Sequence, residues 1–186
     1  NLARDYQIGR EACDTYAVRS HQRATAAWKN GLFADELVPV PVPQRKGDPV
    51  MFAHDEGYRA DATMETLGAL KPIEAKTIPG AVVTAGNASQ QNDAAAACLV
   101  VAEDKLEELG LEPIAWFHGW AAAGVDPSRM GIGPVPAVER LFARTGLSWK
   151  DIDLVELNEA FAPQVLACLK GWGWSGDDSR NDILNV

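Results

Sequence analysis

The feature that most constrains this chain is its punctuation. Through the second half, short apolar runs alternate with amphipathic stretches, and a Gly, Pro or small-residue corner separates each from the next. Asp153 to Leu157 reads as a short strand and Glu159 to Leu169 as a helix. Gly131-Ile-Gly-Pro-Val-Pro136 reads as a loop whose prolines occupy the first turn of a helix running to about Thr145. Ile114 to Ala121, rich in aromatics, has the character of a strand, and Glu103 to Leu109 that of a short helix stopped by Gly110. Strands and helices in alternation bury a sheet between helical layers, so the expected class is layered α/β.

The first half is less regular. Between Arg10 and Trp28, small and apolar residues recur at Cys13, Tyr16, Ala17, Ser20, Ala24, Ala27 and Trp28, which is one face of a helix. Asn30-Gly31 supplies its stop. Val38-Pro-Val-Pro-Val-Pro43 fixes an extended chain poor in ladder donors, either an edge strand or a connector. Arg45 to Tyr58 reads as surface loop with an extended piece at Val50 to Phe52. Thr63 to Leu70 is a short helix halted by Lys71-Pro72, and Ala81 to Thr84 a strand. Ala94 to Ala102 is apolar throughout, and periodicity does not separate a buried strand from a buried helix there.

Composition bounds the function. Hydrophobic residues make up 47% of 186 and charged ones 23%, enough for a core without disulfides or a structural metal. Seventeen Lys and Arg against twenty-six Asp and Glu give a net charge of -9, which argues against a sequence-blind nucleic-acid binder. No apolar run reaches membrane-spanning length. Three cysteines without a CxxC spacing, in a sequence with no signal-peptide pattern, imply a reduced, cytoplasmic setting. The sequence opens at Asn1 and closes on Asn-Asp-Ile-Leu-Asn-Val, a strand cut short. Both ends are expected to be internal to a longer chain.

Cys13, Cys98 and Cys168 each lie in apolar surroundings and are read as buried small hydrophobes. His54-Asp55-Glu56 has metal-ligating letters but no second cluster, so no metal is expected. Arg19 and His21 share a helix that offers them no carboxylate partner and are read as solvated or packed. Of six tryptophans, Trp116, Trp120, Trp172 and Trp174 fall late in the chain and are read as core or interface. Two corners carry more. Thr84-Ala-Gly-Asn-Ala-Ser89 would let a ligand approach the backbone, with the Ser89 hydroxyl at hand. Its plain alternative is a strand-to-helix turn capped by Asn92-Asp93. At Leu157-Asn-Glu-Ala-Phe161, Asn158 and Glu159 stand where a helix begins, so Asn158 could hold a water or donate to an oxyanion. Its plain alternative is a helix N-cap. Spacing leaves both pairs open.

Together the corners resemble the thiolase family. Val83-Thr-Ala-Gly-Asn-Ala-Ser89 followed by Asn92-Asp93, Gly124-Val-Asp-Pro127, Met130-Gly-Ile-Gly-Pro-Val-Pro136 and Glu156-Leu-Asn-Glu-Ala-Phe-Ala162 occur in that family's order and spacing. The resemblance implies the layered αβαβα thiolase fold, incomplete here. Residues 1–80 would be part of the loop region covering CoA, 81–92 the crossover from the N-terminal half, and 93–186 part of the C-terminal half. It implies thiolysis of 3-ketoacyl-CoA, or condensation of acetyl-CoA, through a cysteine thioester. Coenzyme A and acyl-CoA enter as substrates, with no covalently bound cofactor, and the assembly is a homodimer or homotetramer.

The same resemblance implies roles residue by residue. Asn158 would hold the oxyanion-hole water. Phe161 and Met130 would line the acyl and pantetheine pocket, Ser89 and Ala85 would contact the pantetheine arm, and Arg59 would lie near the adenine nucleotide. Thr66 stands where some relatives place a Ser against CoA. The acyl-accepting Cys, the Gly-His-Pro base and the second Cys have no counterpart in this sequence, so the chain alone is expected to be inactive. An alternative is a non-catalytic thiolase-like subunit that binds acyl-CoA or scaffolds a partner. A ketoacyl synthase of the same fold is disfavoured by Asn-Glu-Ala-Phe.

Overall fold

The computed structural model describes residues 1–174 and 179–185. Its helices are α1 (Leu2–Asp5), α2 (Arg10–Lys29), α3 (Met64–Gly68), α4 (Leu106–Leu109), α5 (Pro134–Thr145) and α6 (Ala162–Gly171). Its strands are β1 (Val40–Val42), β2 (Val50–Phe52), β3 (Val155–Glu156) and β4 (Leu184–Asn185). Several follow the sequence closely. The small-residue face of α2 is turned inward at Cys13, Tyr16 and Ala17. Thr63 caps α3, where Thr63 and Thr66 exchange side-chain and backbone hydrogen bonds of 2.9 and 3.1 Å. Pro134 opens α5, and Gly146, at φ 75°, ends it in the left-handed conformation that other residues resist.

The core sits where α2 crosses α6. Cys13 and Tyr16 from α2 meet Ala162, Val165, Ala167 and Leu169 from α6, together with Ile8, Val82, Trp174 and Leu184. β3 and β4 pair in parallel, Val155 opposite Leu184 and Glu156 opposite Asn185, so the closing segment is a strand as its sequence suggests; Val186 lies outside the described residues. Trp149 packs edge to face on Trp172 and Trp174, with centroids 5.1 and 4.8 Å apart, these two are tilted on each other at 5.6 Å, and Phe142 adds a fourth ring. Trp172 and Trp174 are therefore core. Trp116 and Trp120 are more than half exposed, so of the two readings given them core burial fails in this chain and an interface is left open. α1, the turn Pro127–Ile132 and α6 are tied by Arg129 to Asp5 at 2.6 Å and by the Lys170 ammonium to the Tyr6 carbonyl at 2.9 Å.

The Val-Pro run takes the edge-strand reading, paired antiparallel with Val50–Phe52 in a hairpin exposed on both faces. Elsewhere the structure departs from expectation. Ala81 to Thr84 is extended but joins no ladder. The Asn87 side chain stands in for a neighbouring strand, accepting from the Thr84 N–H at 2.9 Å and donating to the Val82 carbonyl at 3.0 Å. Ala94 to Ala102 and Ile114 to Ala121 form neither strand nor helix. Both are apolar enough for the inside of a sheet, but a lone extended segment leaves its N–H and C=O groups to water. No described strand runs beside either one. Leu99, Val100 and Ile114 are accordingly at least 86% exposed, and Cys98 is exposed where burial was expected.

Candidate functional site

The two corners meet. The Ser89 N–H donates to the Ala160 carbonyl and the Ala162 N–H to the Asn87 carbonyl, each at 2.9 Å, and Ala88 bridges to Phe161. Two segments some seventy residues apart are thus stitched backbone to backbone, and the chemistry-bearing side chains fan out around the seam. The corner needs its glycine. A Cβ on Gly86 would fall 2.7 Å from Leu70 Cδ1 and 3.0 Å from Leu67 Cγ, so the corner packs on α3 only without a side chain there. Gly131 plays the same part on the other flank, where a Cβ would stand 2.5 Å from Gln164 Cγ.

Beneath the seam lies a buried polar network that sequence reasoning missed. Asp14 is 1% exposed; it accepts from the Arg10 Nε at 2.7 Å and from the Asn87 Nδ2 at 2.9 Å. Arg10 reaches on to the carbonyls of Leu67 and Leu70 at the end of α3, at 2.7 and 2.9 Å. One carboxylate thereby fixes the corner, α2 and α3 together. A buried charge is tolerated only when paired and hydrogen-bonded, and this one is both. The legible signal was the four-residue spacing of Arg10 and Asp14 on the helix.

Three clefts open around the seam. The largest, about 1030 Å³, is lined by Arg59, Thr66, Ala85 and Ser89 of the expected CoA-binding residues. Met130, Phe161 and Asn158 line a second, of about 440 Å³, in which Met130 is 77% exposed. Asn158 and Ser89 both line a third, of about 280 Å³, between the other two. The structure brings the expected residues into adjoining clefts, with Asn158 shared by two of them.

Individual placements sharpen the picture. Helix α6 begins at Ala162, with Phe161 at the cap position and no side-chain cap. Asn158 is therefore not an N-cap, and Pro163 near the helix start explains the later beginning. The first amide of the helix, that of Ala162, is taken by Asn87, so the helix terminus does not face Asn158 as expected. The plain alternative for the other corner fails too: residues 90–102 form no helix, and Asn92-Asp93 cap nothing. The Thr66 hydroxyl is engaged in capping α3. Arg59 shares its cleft with Asp55, Glu56, Asp61 and Asp93 but pairs with none of them among the described residues.

His21 pairs with no carboxylate among the described residues, although folding brings the Glu159 and Asp61 charges near it. Its Nδ1 accepts from the Arg59 N–H at 3.1 Å, which joins α2 to the loop bearing Arg59. Burial pulls its pKa below the usual 6.5, helped by the Arg59 charge and opposed by Glu159, Asp61 and the Gly86 backbone. Cys13 and Cys168 are fully buried, and burial pushes both thiols up to about 11. Cys168 Sγ donates to the Gly131 carbonyl at 3.2 Å. Neither has the electropositive, accessible setting of a nucleophile. His54 packs on Trp28 with ring centroids 4.1 Å apart and bonds the Tyr58 hydroxyl at 2.8 Å. Among the described residues no His, Cys, Asp and Glu cluster could hold a metal, and no helix is long and apolar enough to cross a membrane.

The Bacillus anthracis acetyl-CoA acetyltransferase crystal structure matches 100% of this chain at TM-score 0.90 and 43% identity, over 45% of its own length. That of human mitochondrial 3-ketoacyl-CoA thiolase covers 96% of this chain and 44% of its own at TM-score 0.81 and 39% identity. The family model for the thiolase N-terminal domain matches residues 1–104 and that for the thiolase C-terminal domain residues 111–185. The chain belongs to the thiolase family. It is 50% identical over 183 residues to the acetyl-CoA acetyltransferase of Cupriavidus necator, covering 98% of this chain and 45% of that protein. The chain therefore spans less than half the length of the relatives it matches.

Proposed function

We propose that these residues form the CoA-facing part of an acyltransferase. It would transfer an acyl group between CoA and 3-ketoacyl-CoA, or run the reverse condensation of acetyl-CoA. The acyl group would pass through a cysteine thioester whose nucleophile and base are not among residues 1–186. Residues 1–80 cover CoA, 81–92 cross over from the N-terminal half, and 93–186 belong to the C-terminal half. The protein works in the cytoplasm as a homodimer or homotetramer.

The observation that carries this reading is the seam. It places Asn158, whose carboxamide has no hydrogen-bond partner among the described residues, at the junction of an apolar cleft and a polar one. When a thiolate adds to a thioester carbonyl, negative charge develops on the oxygen. A carboxamide already in place, donating directly or through a water, lowers that barrier without reorganising. Phe161 and Met130 offer apolar walls to the acyl chain and pantetheine, Ser89 and Ala85 a close backbone approach, Thr66 a hydroxyl, and Arg59 a cation for the nucleotide end.

The test is Asn158→Ala in the native gene product, assayed for thiolysis. Turnover should fall about 100-fold, as for a lost oxyanion donor, with the melting temperature unchanged. Unaltered kcat would remove Asn158 from the chemistry. CoA binding by the native product without any thiolysis would assign a non-catalytic subunit instead.

A further inference from the structure

Next to Asn158 stands a carboxylate that the chemistry above does not use. Glu159 lines the smallest of the three clefts beside Asn158, on its α2 side, where its Oε2 accepts from the Ser20 hydroxyl at 2.8 Å. Its Oε1 is buried with no hydrogen-bond partner among the described residues, and so is the hydroxyl of Tyr16, one helical turn before Ser20. The Arg19 guanidinium lies over the Tyr16 ring, 5.1 Å from its centroid. Burial, then the Glu159 charge, drive the Tyr16 hydroxyl far above its ordinary pKa, so it remains protonated and keeps its proton to donate.

These contacts bear on the loop between β3 and α6. The peptides after Asn158 are held by the seam, through Ala160 to Ser89 and Ala162 to Asn87. Asn158 itself has no such bond. The only side-chain tether beside it among the described residues is Glu159, fastened to a 20-residue helix. A carboxamide that must meet a developing oxyanion within a few tenths of an ångström needs its backbone fixed.

We propose that Glu159, anchored by Ser20, is the positioning residue that aims Asn158 at the reacting carbonyl. This rests on the oxyanion reading of Asn158. In this role Glu159 acts by holding the peptide from which Asn158 projects. Because the bond to Ser20 needs only an acceptor, charge is not essential to the role.

The experiment is a set of variants of the native gene product, read by kcat, KM for CoA and melting temperature. Glu159→Ala should lower kcat about tenfold, the equivalent of one charged hydrogen bond, and leave KM for CoA within about twofold. Ser20→Ala, which removes the donor with little change of volume, should lower kcat in the same direction. Glu159→Gln, which still accepts from Ser20, should recover most of the turnover. The double variant Asn158→Ala/Glu159→Ala should be no slower than Asn158→Ala alone, because Glu159 acts only through its neighbour. A Glu159→Ala loss that adds fully to that of Asn158→Ala would overturn the proposal. So would a rise in KM at constant kcat, or a Ser20→Ala variant with wild-type kcat. If Glu159→Ala does not fold, Ser20→Ala and Glu159→Gln decide the matter. Should Asn158→Ala itself leave kcat unchanged, the oxyanion reading fails. If Asn158→Ala is slow while Glu159→Ala is not, only the present inference fails.

Discussion

The seam at 84–89 and 157–162 and the stretch from 90 to 126 are both rich in small and apolar residues, yet they end in opposite states. At the seam every extended piece finds a partner: a backbone bridge, the Asn87 amide, or a helix to lie on. In the 90–126 stretch, Leu99, Val100, Ile114, Trp116, Phe117 and Trp120 face solvent. The difference is not in hydrophobicity. Burying an apolar strand requires neighbours for its backbone as well as for its side chains, and one polar side chain can supply the first requirement. Asn87 does so for Val82 and Thr84, and among the described residues nothing comparable stands beside Leu99.

The contrast is broken most severely at Asp14. Asp14→Ala removes an acceptor from both Arg10 and Asn87, so among the described residues the part-buried guanidinium loses its only carboxylate and keeps two carbonyls, and the buried amide keeps only the Val82 carbonyl. Breaking such a network typically costs about 3 kcal/mol, and urea unfolding of the purified protein should show a loss of that order. Asp14→Asn keeps the shape and one acceptor oxygen and should fall between. If Asp14→Ala unfolds at the wild-type midpoint, the corner is held by packing alone.

How far the sequence was legible follows the same division. Helices α2, α3 and α5 were readable because local signals decide them: a periodic face, a Thr cap, a proline at the start and a glycine at the end. The corners were readable as small-residue motifs, and their family likeness supplied Asn158, Ser89 and Arg59 as candidates. What stayed hidden depended on distant partners. No spacing reveals that Ser20 would meet Glu159, or that His21 would accept a hydrogen bond from the Arg59 amide. Ala94 to Ala102 and Ile114 to Ala121 have the composition of buried strands, and composition carries no information on whether a neighbour is present. The hairpin of β1 and β2 shows the converse: the prolines left an edge strand and a connector open, and pairing with Val50–Phe52 decided for the strand.

A smaller effect is expected from the core. Val165 is fully buried on the inner face of α6, and Val165→Ala should cost about 2 kcal/mol through lost burial and the cavity left behind. Thiol labelling draws the same line without a mutation. Under native conditions iodoacetamide should modify the exposed Cys98, while Cys13 and Cys168 react only in denaturant. Mass spectrometry of the peptides gives the answer directly, and native labelling of Cys168 would place α6 outside the packed body.

Acidification should act on the seam more gently. The folded state depresses the His21 pKa below 6.5, so above that value His21 contributes its full share of stability. As pH falls through about 6.5 the unfolded chain takes up the proton first, and stability declines until the folded His21 is also protonated. The melting temperature should therefore fall between pH 7.5 and 5.5, a window chosen around that reference value, and by less in His21→Gln. Asp5, Asp126 and Asp151, whose pKa values are lowered, titrate below 3.8 and stay out of that window. An equal fall in the variant would assign the pH dependence elsewhere.

The smallest effect belongs to the exposed stretch and is the most diagnostic of the comparison. Leu99→Ser and Val100→Ser each remove an apolar side chain that is more than 85% exposed, so no buried area is lost in this chain. Surface changes of this kind lie within about 0.5 kcal/mol, against about 2 kcal/mol for Val165→Ala, although all three substitutions delete an aliphatic group. Unfolding midpoints of the three variants, measured side by side, test whether burial rather than residue type sets the cost. If Leu99→Ser destabilises as much as Val165→Ala, then Leu99 is covered in the protein in solution. The apolar run Ala94 to Ala102 would in that case have the strand neighbour that its composition led one to expect.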